Sequence, residues 1–311
     1  MSREKVDKMV EVYLKGREKS TMSSYQSSYK RLLGLCERAK VSIFRLNEES
    51  RCELWMEASE SGLSAASLRG VCAVVSLVRD VMGMKEDCSG REKTLKRSLL
   101  KEKNLKKKTK IKRKVGSIQE LKALVKEARR TGSRSDWRVA AMGVLCFFGC
   151  RRLGDLLKIR VEDVTHVDDN IHIYLRRQKT DVENEGSWCS IIGRGRAFDI
   201  IGFMEEYITR MGLTKGQSLF PKNLGKGEKK VAVSYSRMYQ SLESSKERLG
   251  LDASLKWHSW RIGAATRGNM LGVRRTVVKA AGLWRSSAVD IYCREANPGV
   301  VLSEALANSW E

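Results

Sequence analysis

No two cysteines in this chain are spaced Cys-x-x-Cys, and none of the eight has a histidine nearby at metal-ligand spacing. That argues against a zinc site, and thiols scattered this way suit a reducing compartment. Cys146 and Cys150 fall in an apolar helical run and read as core thiols. No apolar run reaches the length needed to span a bilayer. Met1 leads directly into Ser-Arg-Glu-Lys, with no signal peptide, so the chain reads as soluble and intracellular. The Gly-rich stretch 222–230 lacks the spacing of a P-loop, and there is no internal repeat. Acidic residues are also short: 37 against 60 Lys and Arg, a net charge of +23. Such an excess repels itself and calls for a polyanionic partner, nucleic acid first and a membrane surface second.

What is present supports two packed domains. A length of 311 residues suits two domains of ordinary size, and 41% hydrophobic content allows each a core. Apolar residues in the first 90 positions recur at helical spacing. Val6, Met9, Val10, Tyr13 and Leu14 form one stripe, and Tyr25, Tyr29, Leu32, Leu33 and Cys36 a second. Asn47 is placed to cap a third helix carrying Leu54, Trp55 and Ala58. A fourth runs over about 64–82, with Leu68, Val71, Cys72, Val75, Val78 and Met82 inward. Four such helices make a small bundle over residues 1–90.

Residues 91–114 change character. They hold thirteen Lys or Arg against Glu92 and Glu102, a net +11 that is nearly half the chain's excess. Leu95, Leu99 and Leu100 hint at a short helix. The segment as a whole reads as a solvated basic linker, able to lie along a phosphate backbone and to serve as a nuclear import signal.

A second domain, 115–311, opens on the capping box Ser117-Ile118-Gln119-Glu120. Residues 137–148 are apolar nearly all round, as in a buried central helix. Strands are predicted at 166–168, 171–175 and 187–192, forming a small antiparallel sheet with a turn at Asp168-Asp169-Asn170. Helices follow at 197–211 and 234–249. The fold class is therefore mostly α with a small antiparallel β-sheet: a helical bundle, then a mixed α+β domain.

The chemistry concentrates at the end. His258 and Arg261 are three residues apart in a run of helical composition, which puts them on one face. Gly282-Leu283-Trp284 and Ile291-Tyr292 follow on what read as two more short helices. Upstream, Gly149-Cys150-Arg151-Arg152-Leu153-Gly154-Asp155 places two arginines directly after the buried helix, and Lys179 sits in the polar turn between the second and third strands. Taken as physical chemistry, two guanidiniums can hold the non-bridging oxygens of a phosphodiester and stabilise the charge of a pentavalent transition state. A phenol, with an ordinary pKa of about 10, needs that help and a base to act as nucleophile.

The pattern His258-x-x-Arg261, then Gly282-x-Trp284, then Tyr292 eight residues on resembles the tyrosine recombinase (phage integrase) family. So do Arg152-x-x-Asp155-Leu156, with Asp163 further on, and the hairpin Lys179-Thr180-Asp181. Arg151 would put the acid four residues away, so the spacing selects Arg152. The resemblance covers roughly residues 117–294; the first domain is compatible with the family's core-binding domain but has no specific motif. It implies a tyrosine recombinase catalytic domain over 115–311. Arg152, Lys179, His258, Arg261 and Trp284 would then serve the scissile phosphate and Tyr292 would be the nucleophile. Many members carry a second His where this chain has Trp284, others a Trp; an indole donates a hydrogen bond but cannot shuttle a proton. The function implied is a site-specific recombinase or integrase that cuts and rejoins double-stranded DNA through a 3′-phosphotyrosine, with no cofactor, ATP or metal. It would work as a homotetramer on two sites, away from any membrane. The spacing looks most like recombinases of eukaryotic mobile elements, which implies a nuclear location. Two other readings stay open: a type IB topoisomerase-like enzyme, and a domesticated DNA-binding protein that keeps the fold without catalysis. The segment 296–311, with Val300, Val301, Leu302, Leu306 and Trp310, reads as a helix packed on its own domain or exchanged with a neighbour.

Overall fold

The computed structural model describes residues 3–15, 19–44, 46–84, 89–105, 114–176, 185–193, 198–222, 231–284 and 289–290. The chain divides into two units, Met1–Ile111 and Lys112–Glu311.

The first unit is built from α1 (Arg3–Leu14), α2 (Lys19–Arg38), α3 (Glu48–Glu60), α4 (Ala65–Val81) and α5 (Gly90–Leu105). The predicted cap forms, the Asn47 side chain accepting from the Ser50 N–H, and Ser64 caps α4 in the same way by accepting from the Ser67 N–H. Leu32, Leu35, Leu54, Trp55, Leu68, Val71 and Val78 fill a common core. Cys72 and Met82, expected inward, are only partly buried against it.

The fifth helix corrects the linker reading. Residues 90–105 do not trail through solvent; they pack on α3 and α4. Ser89 caps the helix by accepting from the Glu92 N–H. Glu92 is fully buried, accepting from Arg51 Nε at 2.9 Å and from Trp55 Nε1 at 3.1 Å. Leu99 joins the core, with Leu95 and Leu100 partly buried beside it. Burial of three leucines and one paired carboxylate outweighs the repulsion of the basic face. Residues 106–113 lie outside the described residues.

In the second unit, α6 (Ile118–Thr131) begins with the predicted capping box: Ser117 Oγ accepts from the Glu120 N–H while Glu120 accepts from the Ser117 N–H. It packs on α7 (Arg134–Phe148), whose residues from Asp136 to Phe147 are all buried, making it the axis of the domain. A one-turn helix, α8 (Leu153–Leu156), and a 3-10 turn (Val161–Asp163) lead to the sheet. Its strands are β1 (Val164–Val167), β2 (Asn170–Leu175) and β3 (Ser187–Ile192), antiparallel in the order β1-β2-β3. Ile171 faces Ile191 and Ile173 faces Cys189. These residues and Leu175 point into the core, as the alternation predicts. Strand β1 begins and ends earlier than predicted because Asp168, at φ 52°, already forms the turn. Then come α9 (Ile200–Met211), α10 (Tyr235–Leu249), α11 (Trp257–Met270) and α12 (Arg275–Ala281). The architecture is mostly helical with one small antiparallel sheet, as expected. Among the described residues, no helix is long and apolar enough to cross a membrane.

Candidate active site

The site assembles where the end of α7 meets α11 and the turn after α12. Helix α7 stops at Gly149, and Cys150 adopts a left-handed φ of 52°. That conformation disfavours a side chain. It turns the backbone sharply, so that Arg151 and Arg152 leave the helix in different directions. Arg151 is buried and donates from Nη2 to the carbonyl of Ala281, the last residue of α12. The Arg152 side chain is 28% exposed and lies 3.7 Å from Asp155 Oδ2, too long for a hydrogen bond.

Helix α11 brings His258 and Arg261 to the same region. It is anchored by a close backbone crossing: the Gly116 N–H donates to the Ser259 carbonyl at 2.8 Å. A Cβ on Gly263 would lie 2.0 Å from the Gly116 oxygen, so neither chain can retreat and only glycine fits. His258 is half-buried on the first turn. One turn later Arg261 is 1% exposed. Its Nη1 donates to the Cys150 carbonyl at 2.7 Å and its Nη2 to the Gly282 carbonyl at 2.8 Å. The guanidinium also sits 3.9 Å from the centroid of the Trp284 ring, a cation–π contact. Trp284 reaches it because Gly282 has no side chain; a Cβ there would meet the indole at 1.8 Å.

Three guanidiniums thus surround one carboxylate, Asp155, which is 5% exposed. Burial pushes the Asp155 carboxyl above its ordinary value, against the pull of Arg152, Arg261, Arg151 and Lys158. Burial, together with the neighbouring Arg152 and Arg151, pulls the Arg261 guanidinium down to about 10. Arg151 Nε, Arg152 Nη1 and Arg261 Nε are buried with no hydrogen-bond partner among the described residues. A cluster with two positive charges in surplus and three unanswered donors is built for an anion.

The structure therefore brings together Arg152, Arg261 and Trp284, with His258 one turn away on α11. Lys179 and Tyr292 lie outside the described residues, as do 296–311. The end of β2 is fastened where Arg176 donates from Nε to Asp163 at 2.8 Å and the buried Asp163 also accepts from the Arg160 N–H. Asp163 thereby ties the end of β2 to the 3-10 turn. Sequence reasoning missed the two carbonyls that hold Arg261 and the burial of Arg151. The only signal for them was the pair of short turns at Gly149-Cys150 and Gly282-Leu283, where Leu283 is also left-handed at φ 53°.

No protein-family model matches the chain, and no curated protein matches it in sequence. Solved structures do match in shape. The Tn1549 transposon integrase in complex with transposon right-end DNA superposes with a TM-score of 0.62 at 14% identity, over 97% of this chain and 99% of that one. The XerH site-specific recombinase bound to palindromic difH substrate gives 0.61 at 16% identity, over 87% and 72%. A lambda integrase tetramer bound to a Holliday junction gives 0.61 at 14%, over 94% and 76%. This is the tyrosine recombinase fold. Within it, the three-arginine cluster lies between the end of the central helix α7 and the turns flanking α11 and α12.

Proposed function

We propose that the chain is a site-specific DNA recombinase that cuts and rejoins strands through a 3′-phosphotyrosine, with Tyr292 as nucleophile. The observation that carries this reading is the surplus of two positive charges in the Arg151, Arg152, Arg261 and Asp155 cluster. A phosphodiester gains a second negative charge in its pentavalent transition state, and such a cluster neutralises both charges without reorganising. Arg152, the most exposed of the three, meets the non-bridging oxygens. Arg261 supports them from beneath through its unanswered Nε–H while its two Nη groups hold the Cys150 and Gly282 turns in place. Trp284 stacks on Arg261 and fixes its plane.

In the reaction the Tyr292 oxygen forms a bond to phosphorus, its proton passing to His258, while the bond from phosphorus to the 5′-oxygen breaks and Lys179 supplies the proton to that oxygen. The phosphotyrosine conserves the bond energy, so the reverse attack by a 5′-hydroxyl rejoins the strand. The DNA-bound state of the similar structures and the tetramer among them support DNA as the partner and a tetramer on two sites as the working assembly. The basic run at 106–114 favours action in a nucleus.

Covalent trapping tests the reading. Protein incubated with nicked duplexes, whose short released strand prevents religation, should give an adduct on a denaturing gel, while Tyr292→Phe should bind the same DNA and give none. Salt-sensitive binding with no adduct from any duplex would leave a DNA-binding protein that has kept the fold and lost the chemistry.

A further inference from the structure

The second unit carries an open apolar groove of about 630 Å³ that the proposed chemistry does not use. One wall is α6, which contributes the exposed Ile118 and the buried Leu121 and Val125 at helical spacing. The opposite wall comes from the ends of other elements: Phe148 closing α7, Ile192 closing β3, and Phe198 and Ile200 leading into α9. Phe148 and Phe198 stack with centroids 6.1 Å apart, giving the floor a rigid aromatic base. Ile118 and Ile192 are left 39% and 61% exposed at its mouth, where a surface position would ordinarily be polar.

The charged residues that line this groove are all basic, with Arg129 lying 3.7 Å from Glu206 Oε2 beyond its end. Lys122, Lys126 and Arg129 follow one another at four- and three-residue intervals along the α6 rim, all exposed. The groove's lining contains no acid. From Ile118 to Arg129 the rim spans twelve residues, about 17 Å at the rise of an α-helix. That is the length of three helical turns and suits a peptide segment lying along α6.

We propose that this groove docks an amphipathic helix of a protein partner, with apolar side chains seated on Phe148, Phe198 and Ile192 and acidic residues flanking them toward Lys122 and Lys126. Apolar anchors supply the contact and the row of cations sets its orientation. The two ends of the groove are connected to the arginine cluster. Phe148 precedes Arg152 by four residues, and Ile118 follows the Gly116 that hydrogen-bonds α11.

The test uses the full chain and two dye-labelled helical peptides with the same leucine stripe, one flanked by glutamates and one by lysines, followed by fluorescence anisotropy. The glutamate peptide should bind at least tenfold more tightly than the lysine peptide. The double variant Lys122→Glu/Lys126→Glu should reverse that preference, and Ile192→Glu should abolish binding of both. Ile192 is exposed in the folded chain, so this change leaves the core intact. Equal binding of the two peptides, no binding of either, or binding unaffected by Ile192→Glu would overturn the proposal. So would a chain that self-associates in gel filtration and is made monomeric by Ile192→Glu, since the occupant would then be a second copy. None of these measurements depends on DNA cleavage.

Discussion

Arg51 in the first unit and Arg261 in the second are equally buried, each 1% exposed, yet they sit in opposite electrostatic settings. Arg51 meets a carboxylate directly: Glu92 accepts from its Nε at 2.9 Å, takes a second hydrogen bond from Trp55, and is itself fully enclosed. Arg261 hydrogen-bonds backbone carbonyls instead, and the nearest acid, Asp155, is shared with Arg151 and Arg152. The first arrangement sets a carboxylate, also paired with Lys96 at 3.0 Å, directly against its buried cation and holds two helices together. The second leaves charge open at a turn that reaches the surface. Burial alone does not distinguish a structural arginine from a site arginine; the local balance of charge does.

The largest effect should follow from opening the closed pair. Glu92→Gln leaves Arg51 buried without its counter-charge, which costs about 3–5 kcal/mol. Urea unfolding of the isolated first unit followed by helical circular dichroism should show this loss. A change within ~0.5 kcal/mol would mean that α5 is only loosely held, as the composition of 91–114 had suggested.

Somewhat smaller in free energy but concentrated in the chemistry is the effect of Arg152→Leu. Losing one donor to a developing oxyanion lowers the cleavage rate about 10²–10³-fold. Stability should change by less than ~1 kcal/mol, because the Arg152 side chain is 28% exposed and has no hydrogen bond to lose among the described residues. Single-turnover cleavage of nicked duplexes beside urea unfolding separates the two. An equal loss in both would make Arg152 a structural residue like Arg51.

These two residues also show what was legible in the chain. Local features could be read directly: the Ser117–Glu120 capping box, the Asn47 cap and the alternation that buries Ile171, Ile173 and Leu175 depend on neighbours within a few positions. The placement of α5 depends on Arg51 and Trp55, which lie 41 and 37 residues from Glu92, and thirteen cations in the same segment hid it. His258, Arg261 and Arg152 could be picked out by spacing. The carbonyls that hold Arg261 could not, because they belong to backbone turns that only the packed α7, α11 and α12 define.

A third effect is smaller and specific to the open cluster. Sulfate, at a concentration of about a hundred times its dissociation constant, should stabilise the second unit by ~2.7 kcal/mol through mass action. The stabilisation should fall sharply in Arg152→Leu. Melting of the first unit should not move, since its buried cation is already answered by Glu92. A parallel rise in both units would reduce the effect to general exclusion of sulfate from the surface.

The finest discrimination comes from Asp155. Burial raises its folded pKa above the ordinary 3.8. As pH rises past that ordinary value, the unfolded chain releases the Asp155 proton first while the folded chain retains it. The unfolded state then binds fewer protons, so stability falls with rising pH until the folded value is passed. Asp155→Asn removes this slope. The unfolding free energy of the wild type, minus that of the variant, should therefore decline as pH is raised from 3 through the carboxylate range. A difference that grows with pH instead would mean that the three arginines outweigh burial and hold Asp155 ionised. In that case Asp155 would be an ionised partner like Glu92, and the cluster would carry only the surplus of two charges that its residue count gives.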